Sequence, residues 1–210
     1  NDVNTFFHEF GHLLHTMFAG QRPWIGTGGI RTEHDFVEAP SQMLEEWMRS
    51  PEVLSTFAKD PKTGKVIPAD LVKRMNLAND FGKGLFVRRQ MVYAGMSLAC
   101  YDKDPAGVST DALFSDLVKK YQPFPFVDGT HFQCAFGHLD GYSAVYYTYM
   151  WSLVIAKDMF SKFDPQHLLA PGAAKTYRST VLAAGGSKPA AQMVREFLGR
   201  DFNEQAWKKW

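Results

Sequence analysis

Between Phe6 and Phe18 the chain reads FFHEFGHLLHTMF, which sets three histidines and a glutamate inside an otherwise apolar run. Phe6, Phe10, Leu13, Leu14 and Met17 recur at helical spacing and Gly20 ends the pattern. The spacing predicts a helix over 3–19 with its apolar stripe turned toward the core. On such a helix His8 and His12 project from one face a turn apart, where two imidazoles can share a metal ion. Glu9 stands beside them. Unpaired charge between apolar flanks is expensive, so a chain with this segment must fold so as to give it a partner.

The pattern is HExxH, in which two neutral imidazoles hold one Zn2+ ion while the glutamate polarises a zinc-activated water and accepts its proton. The chemistry expected of it is hydrolysis of a carbonyl compound. A catalytic zinc site has a third protein ligand and one open position. The extended spacing HExxHxxGxxH is excluded, because the glycine and the third histidine it needs are replaced here by His15 and Phe18. The alternative is a carboxylate from a later helix, and DFVEAPSQMLEEW supplies Asp35, Glu38, Glu45 and Glu46. Glu38 falls in the first turn of that helix, where the preceding loop can fold it back against the histidines. Glu45 and Glu46, two turns on, read as supporting or surface groups. Asp35 reads as the N-cap, with a hydrogen bond that orients a ligand histidine as the alternative, and Pro40 falls in the first turn where its missing N–H costs little. His15, as a fourth ligand, would close the site to water. It reads as a cleft-lining residue on the substrate side or behind the ligands, with a satisfied core histidine as the alternative.

Elsewhere the pattern is predominantly helical. A long helix is expected over 69–102 with a kink at Gly82 and Gly84, and an amphipathic one over 109–121 capped by Ser109 or Thr110. More helix follows from Ser143 onward. KDPKTGKVIPAD reads as a turn-rich break with a small β-hairpin. At 210 residues, 45% of them hydrophobic, the chain can bury the core of one domain, and a single domain over 1–210 is expected. Lys and Arg number 23 against 22 Asp and Glu, a formal charge of +1. That balance gives no footprint for nucleic acid and no polybasic segment for a membrane. No apolar run approaches the roughly 20 residues that cross a bilayer, so the expectation is a soluble chain whose compartment and oligomeric state stay open. Cys100 and Cys134 lack metal or redox spacing and read as core thiols. The chain opens on Asn1, with strong chemistry only a few residues later, as a fragment or processed form would.

HEFGHLLH followed by DFVEAPSQMLEEW resembles the M3 metallopeptidases, the thimet oligopeptidase, oligopeptidase A and peptidyl-dipeptidase group. FGHLDGYSAVYYTYMW is similar to that family's Gly/Tyr-rich substrate loop and the helix after it, and REFLGRDFNEQAW to its C-terminal end. The resemblance implies a multi-helix, zincin-like catalytic domain, the C-terminal part of a longer peptidase that cleaves short unstructured peptides. It implies His8, His12 and Glu38 as zinc ligands and Glu9 as general base. It also implies Tyr149 and Tyr142, with His138, as groups that bind the substrate carbonyl and stabilise the oxyanion, a role that suits a phenol donor. Tyr146 and Gly141 would line the substrate cleft. The alternative reading is a non-catalytic zinc- or peptide-binding fragment, because the family's longer chains carry the opposite wall of the cleft. Exposed apolar surface is expected on such a fragment.

Overall fold

The computed structural model describes residues 2–210. Among them are eleven α-helices. In chain order these are α1 (Asp2–Ala19), α2 (Ala39–Glu45), α3 (Pro51–Phe57), α4 (Ala69–Asp80), α5 (Lys83–Tyr101), α6 (Thr110–Tyr121), α7 (His138–Gly141), α8 (Thr148–Phe160), α9 (Pro171–Thr180), α10 (Ala190–Leu198) and α11 (Gln205–Lys209). The mainly α class is as expected. No helix among the described residues is long and apolar enough to cross a membrane. The chain packs as two compact units, one of Asn1–Asn79 with Trp151–Trp210 and the other of Asp80–Met150.

Local chemistry accounts for several boundaries. The Ser50 hydroxyl accepts from Val53 N–H ahead of Pro51, and the Ser109 hydroxyl accepts from Ala112 N–H, so α3 and α6 each start on a serine cap. Gly199, at φ 75°, ends α10 with its N–H on Arg195 O. Gly82 is left-handed too, at φ 79°, and the single kinked helix expected across it is instead the pair α4 and α5.

The β-hairpin is absent. Among the described residues that segment holds one isolated antiparallel bridge, Lys59 to Val66. The Asp60 carboxylate accepts from Lys62 N–H at 2.9 Å and Thr63 N–H at 2.7 Å, curling the chain into a side-chain-closed turn. Pro68, with no N–H to donate, then opens into α4. Asp35 is not a cap. Helix α2 begins at Ala39 with Glu38 in the preceding position, and Asp35 instead offers its carbonyl to the Ser152 hydroxyl at 2.9 Å. Of the two cysteines expected in the core, Cys134 is exposed and Cys100 is half-buried.

In the first unit the core gathers Phe36, Met43, Ile155, Met159, Val181 and Met193 with the aromatic rings of Phe163, Tyr177 and Phe197. Two buried charges at the end of α8 are paired, as burial requires. Asp158 takes two hydrogen bonds from Arg200 at 2.6 and 2.7 Å and one from Asn203 N–H at 2.8 Å. Lys157 pairs with Glu46 and lies 4.8 Å from the Trp210 ring centre. In the second unit α5 and α6 close over Val92, Met96 and Phe114, and Phe132 stacks on Tyr93 with ring centres 4.8 Å apart.

Helix α1 turns a different face inward from the one its apolar spacing indicates. Phe6, Phe10, Leu13 and Met17 are 40–62% exposed, and the buried residues are Gly11, His15 and Ala19. Gly11 explains the choice. A Cβ on it would lie 2.6 Å from Ser41 Cα and 3.0 Å from Pro40 O, so α1 meets the backbone of α2 on its smallest side chain.

Candidate metal centre

That close approach places the start of α2 against the histidine face of α1. Glu38, 1% exposed, sets its Oε2 at 3.1 Å from His8 Nε2 and 3.2 Å from His12 Nε2. Ligand atoms of the three residues all lie within 4.8 Å of one another, a group that could hold a metal ion. At the 2.0–2.2 Å bond lengths of a tetrahedral zinc site, adjacent ligand atoms stand about 3.4 Å apart. The donor set and spacing therefore fit. Ser41, one turn into α2, steadies the carboxylate by donating to Glu38 Oε2 at 3.0 Å and to Glu38 O at 2.9 Å.

Behind the candidate ligands, His8 Nδ1 is 2.7 Å from Glu45 Oε1, and Asn4 Nδ2 donates to Glu45 Oε2 at 3.0 Å. Burial pulls the His8 pKa down, but the hydrogen bonds and charges of Glu38 and Glu45 outweigh it and push the value up to about 9. Negative charge that favours a proton at this point also favours a metal cation, and the two compete for the ring. His12 Nδ1, by contrast, is buried with no hydrogen-bond partner. Glu9 is exposed on α1 beside the two histidines.

His15 belongs to the core rather than to a cleft wall. It is 0% exposed and neither ring nitrogen has a partner, so it is not the satisfied core histidine of the alternative reading either. Burial, with the nearby charge of His12, pulls its pKa down to about 4, which keeps the ring neutral.

The second unit collects the remaining predicted residues into one aromatic cluster. His138 lies 5.7 Å from Tyr142, 5.3 Å from Tyr146 and 5.7 Å from Tyr149, between ring centres. Tyr149 lies 5.2 Å from Tyr142 and 4.9 Å from Tyr146. Helix α8 starts at Thr148, and Tyr142 and Tyr146 precede it in consecutive turns. Tyr146 is buried, Tyr142 and Tyr149 are half-buried, and His138 is exposed. Gly141 ends α7 with open space where a Cβ would go, so no close backbone approach demands glycine there.

An apolar cavity of about 310 Å³ in the first unit takes in none of the three metal-site residues. Gly11, Leu14, Met43, Trp47 and Tyr177 are among its walls. Two contributors to the centre went unmarked in the sequence, Asn4 and Ser41. Each stands about a helical turn from a candidate ligand, Asn4 four residues before His8 and Ser41 three after Glu38, and that spacing was the available signal.

Comparison with known proteins agrees with these features. The model of peptidase family M3 matches residues 1–210. A thimet-like oligopeptidase of Dictyostelium discoideum is 36% identical over all of this chain and 32% of its own length. Organellar oligopeptidase A of Arabidopsis thaliana is 35% identical over 95% of this chain and 26% of its own length. A dipeptidyl carboxypeptidase of Escherichia coli is 31% identical over 95% and 30%. The chain thus spans about a third or less of these relatives. With the HExxH histidines of α1 and a buried glutamate just ahead of α2 brought together, and the family model matched from end to end, the chain belongs to peptidase family M3.

Proposed function

We propose that this chain is the catalytic part of a zinc-dependent oligopeptidase that hydrolyses short unstructured peptides. The observation that carries the reading is the convergence of His8 Nε2 and His12 Nε2 on one buried oxygen of Glu38. The names of the relatives, oligopeptidases and a dipeptidyl carboxypeptidase, support the substrate class. His8, His12 and Glu38 would hold one Zn2+, which supplies Lewis-acid activation of water and of the scissile carbonyl. Glu9, exposed beside the ligands, accepts the proton of the attacking water and later delivers it to the leaving amine. Tyr149, assisted by Tyr142 and His138, donates hydrogen bonds to the oxyanion, where the charge develops only in the transition state. Tyr146, buried in the same aromatic cluster, fixes the positions of its neighbours, and Gly141 stays with the substrate loop.

Zinc content and cleavage of a quenched fluorescent peptide test this together. Glu9→Gln is expected to keep zinc and lose turnover by about a hundred- to ten-thousand-fold, whereas Glu38→Ala loses the metal. Full turnover in Glu9→Gln would overturn the mechanism. A second reading follows from the chain spanning only 26–32% of these relatives: a fragment that binds zinc or peptide without catalysis. Stoichiometric zinc with no turnover selects it.

A further inference from the structure

The ligand set leaves one carboxylate and one amide without a role. We propose that Glu45, held in place by Asn4, is the positioning residue for His8, fixing which ring nitrogen is presented toward Glu38. The inference rests on the proposed reading of His8 as a metal ligand. Glu45 closes α2, two turns beyond Glu38 and on the same side of it. Its two oxygens are divided between two points one turn apart on α1, His8 Nδ1 at 2.7 Å and Asn4 Nδ2 at 3.0 Å. A carboxylate only accepts hydrogen bonds, so Nδ1 of His8 must carry the hydrogen. Nε2, 3.1 Å from Glu38 Oε2, carries a second hydrogen as long as it faces that carboxylate alone; loss of this hydrogen leaves the neutral tautomer with its lone pair on Nε2, the form that a metal takes.

Asn4 matters because Glu45 is partly open to solvent, its side chain 29% exposed, and a singly bonded carboxylate there would be free to turn away. With both oxygens engaged, the carboxylate, the imidazole plane and the α1–α2 spacing are set together. The support is one-sided, because His12 Nδ1 is buried without a hydrogen-bond partner. Glu45 meets the ring nitrogen opposite the one that faces Glu38, so it acts through His8 and touches neither metal nor substrate.

The test is zinc affinity, measured on the metal-free chain by competition with a chromophoric chelator, for the wild type, E45A, E45Q and N4A. Far-UV circular dichroism checks the fold. E45A is expected to bind zinc about 10- to 100-fold more weakly with an unchanged fold. E45Q keeps an acceptor for Nδ1–H but not the charge, and falls between E45A and the wild type. N4A loosens binding by a smaller factor in the same direction. A merely structural role would lower the melting temperature and leave the zinc affinity of the folded protein alone, so that result overturns the assignment. Should E45A fail to fold, wild-type affinity in both E45Q and N4A overturns it equally. A wild-type chain that takes up no zinc overturns the metal reading and this one with it, whereas wild-type zinc binding that E45A leaves intact removes only the role of Glu45.

Discussion

His15 carries an unusual burden for a single side chain, a fully buried imidazole with no hydrogen-bond partner on either nitrogen. Its folded-state pKa is lowered from 6.5 to about 4. As pH falls below 6.5 the unfolded chain takes up a proton that the folded chain refuses, so the stability His15 allows is complete above pH 6.5 and is lost as pH drops toward 4. At pH 5 that loss is about 2 kcal/mol. Replacing the ring with an apolar side chain removes both the unpaired nitrogens and the titration. His15→Leu is expected to be as stable as the wild type or more so at pH 7, and to lose less stability between pH 7 and pH 5. Urea midpoints at the two pH values check this; equal losses in both proteins would place the acid sensitivity elsewhere. Spacing put His15 near His12, which is correct, but could not say that this side of α1 lies against protein.

Helix α1 itself was plain from the sequence, observed at Asp2–Ala19 against 3–19 expected. So was the Ser109 start of α6, because a cap depends on residues within one turn. The inward face of α1 was not. Apolar spacing indicated Phe6, Phe10, Leu13 and Met17, and the helix instead buries its glycine side against α2. Since the proposed ligands stand on α1 and just ahead of α2, the interhelix distance at Gly11 sets the distance between His12 and Glu38. Gly11→Ala puts a Cβ into the Ser41 backbone, which no rotamer change can relieve. The expected result is a loss of about 1–3 kcal/mol in chemical denaturation, with weaker zinc binding because α2 is pushed away from the histidines. Unchanged affinity and stability would show that the helices can separate without cost. The expected hairpin stops at its turn: the turn residues of KDPKTGKVIPAD do fold back, closed by the Asp60 carboxylate, but the flanks pair at the single bridge Lys59 to Val66.

For the whole molecule, the proposed ligands and the aromatic cluster are assigned to different units. His8, His12 and Glu38 all belong to the first unit, and His138, Tyr142, Tyr146 and Tyr149 to the second. A ligand that binds only the folded state stabilises the part that holds it, by about 4 kcal/mol at a thousandfold excess over Kd. Saturating zinc is therefore expected to raise the calorimetric melting temperature, and a chelator to reverse the rise. A melting temperature that zinc leaves unchanged would contradict the ligand assignment. What the sequence by itself determined was the helical class and the HExxH pair on one helix, because these depend on periodicity and on chemistry within a few turns; Glu38 stood out among four carboxylates only through the family resemblance. Only the tertiary structure decided that α1 faces inward through Gly11, that His15 is sealed without a partner and that Glu45 is bonded to His8. Those outcomes depend on which backbone surfaces can approach most closely, and that is a property of two helices together, written in neither one alone.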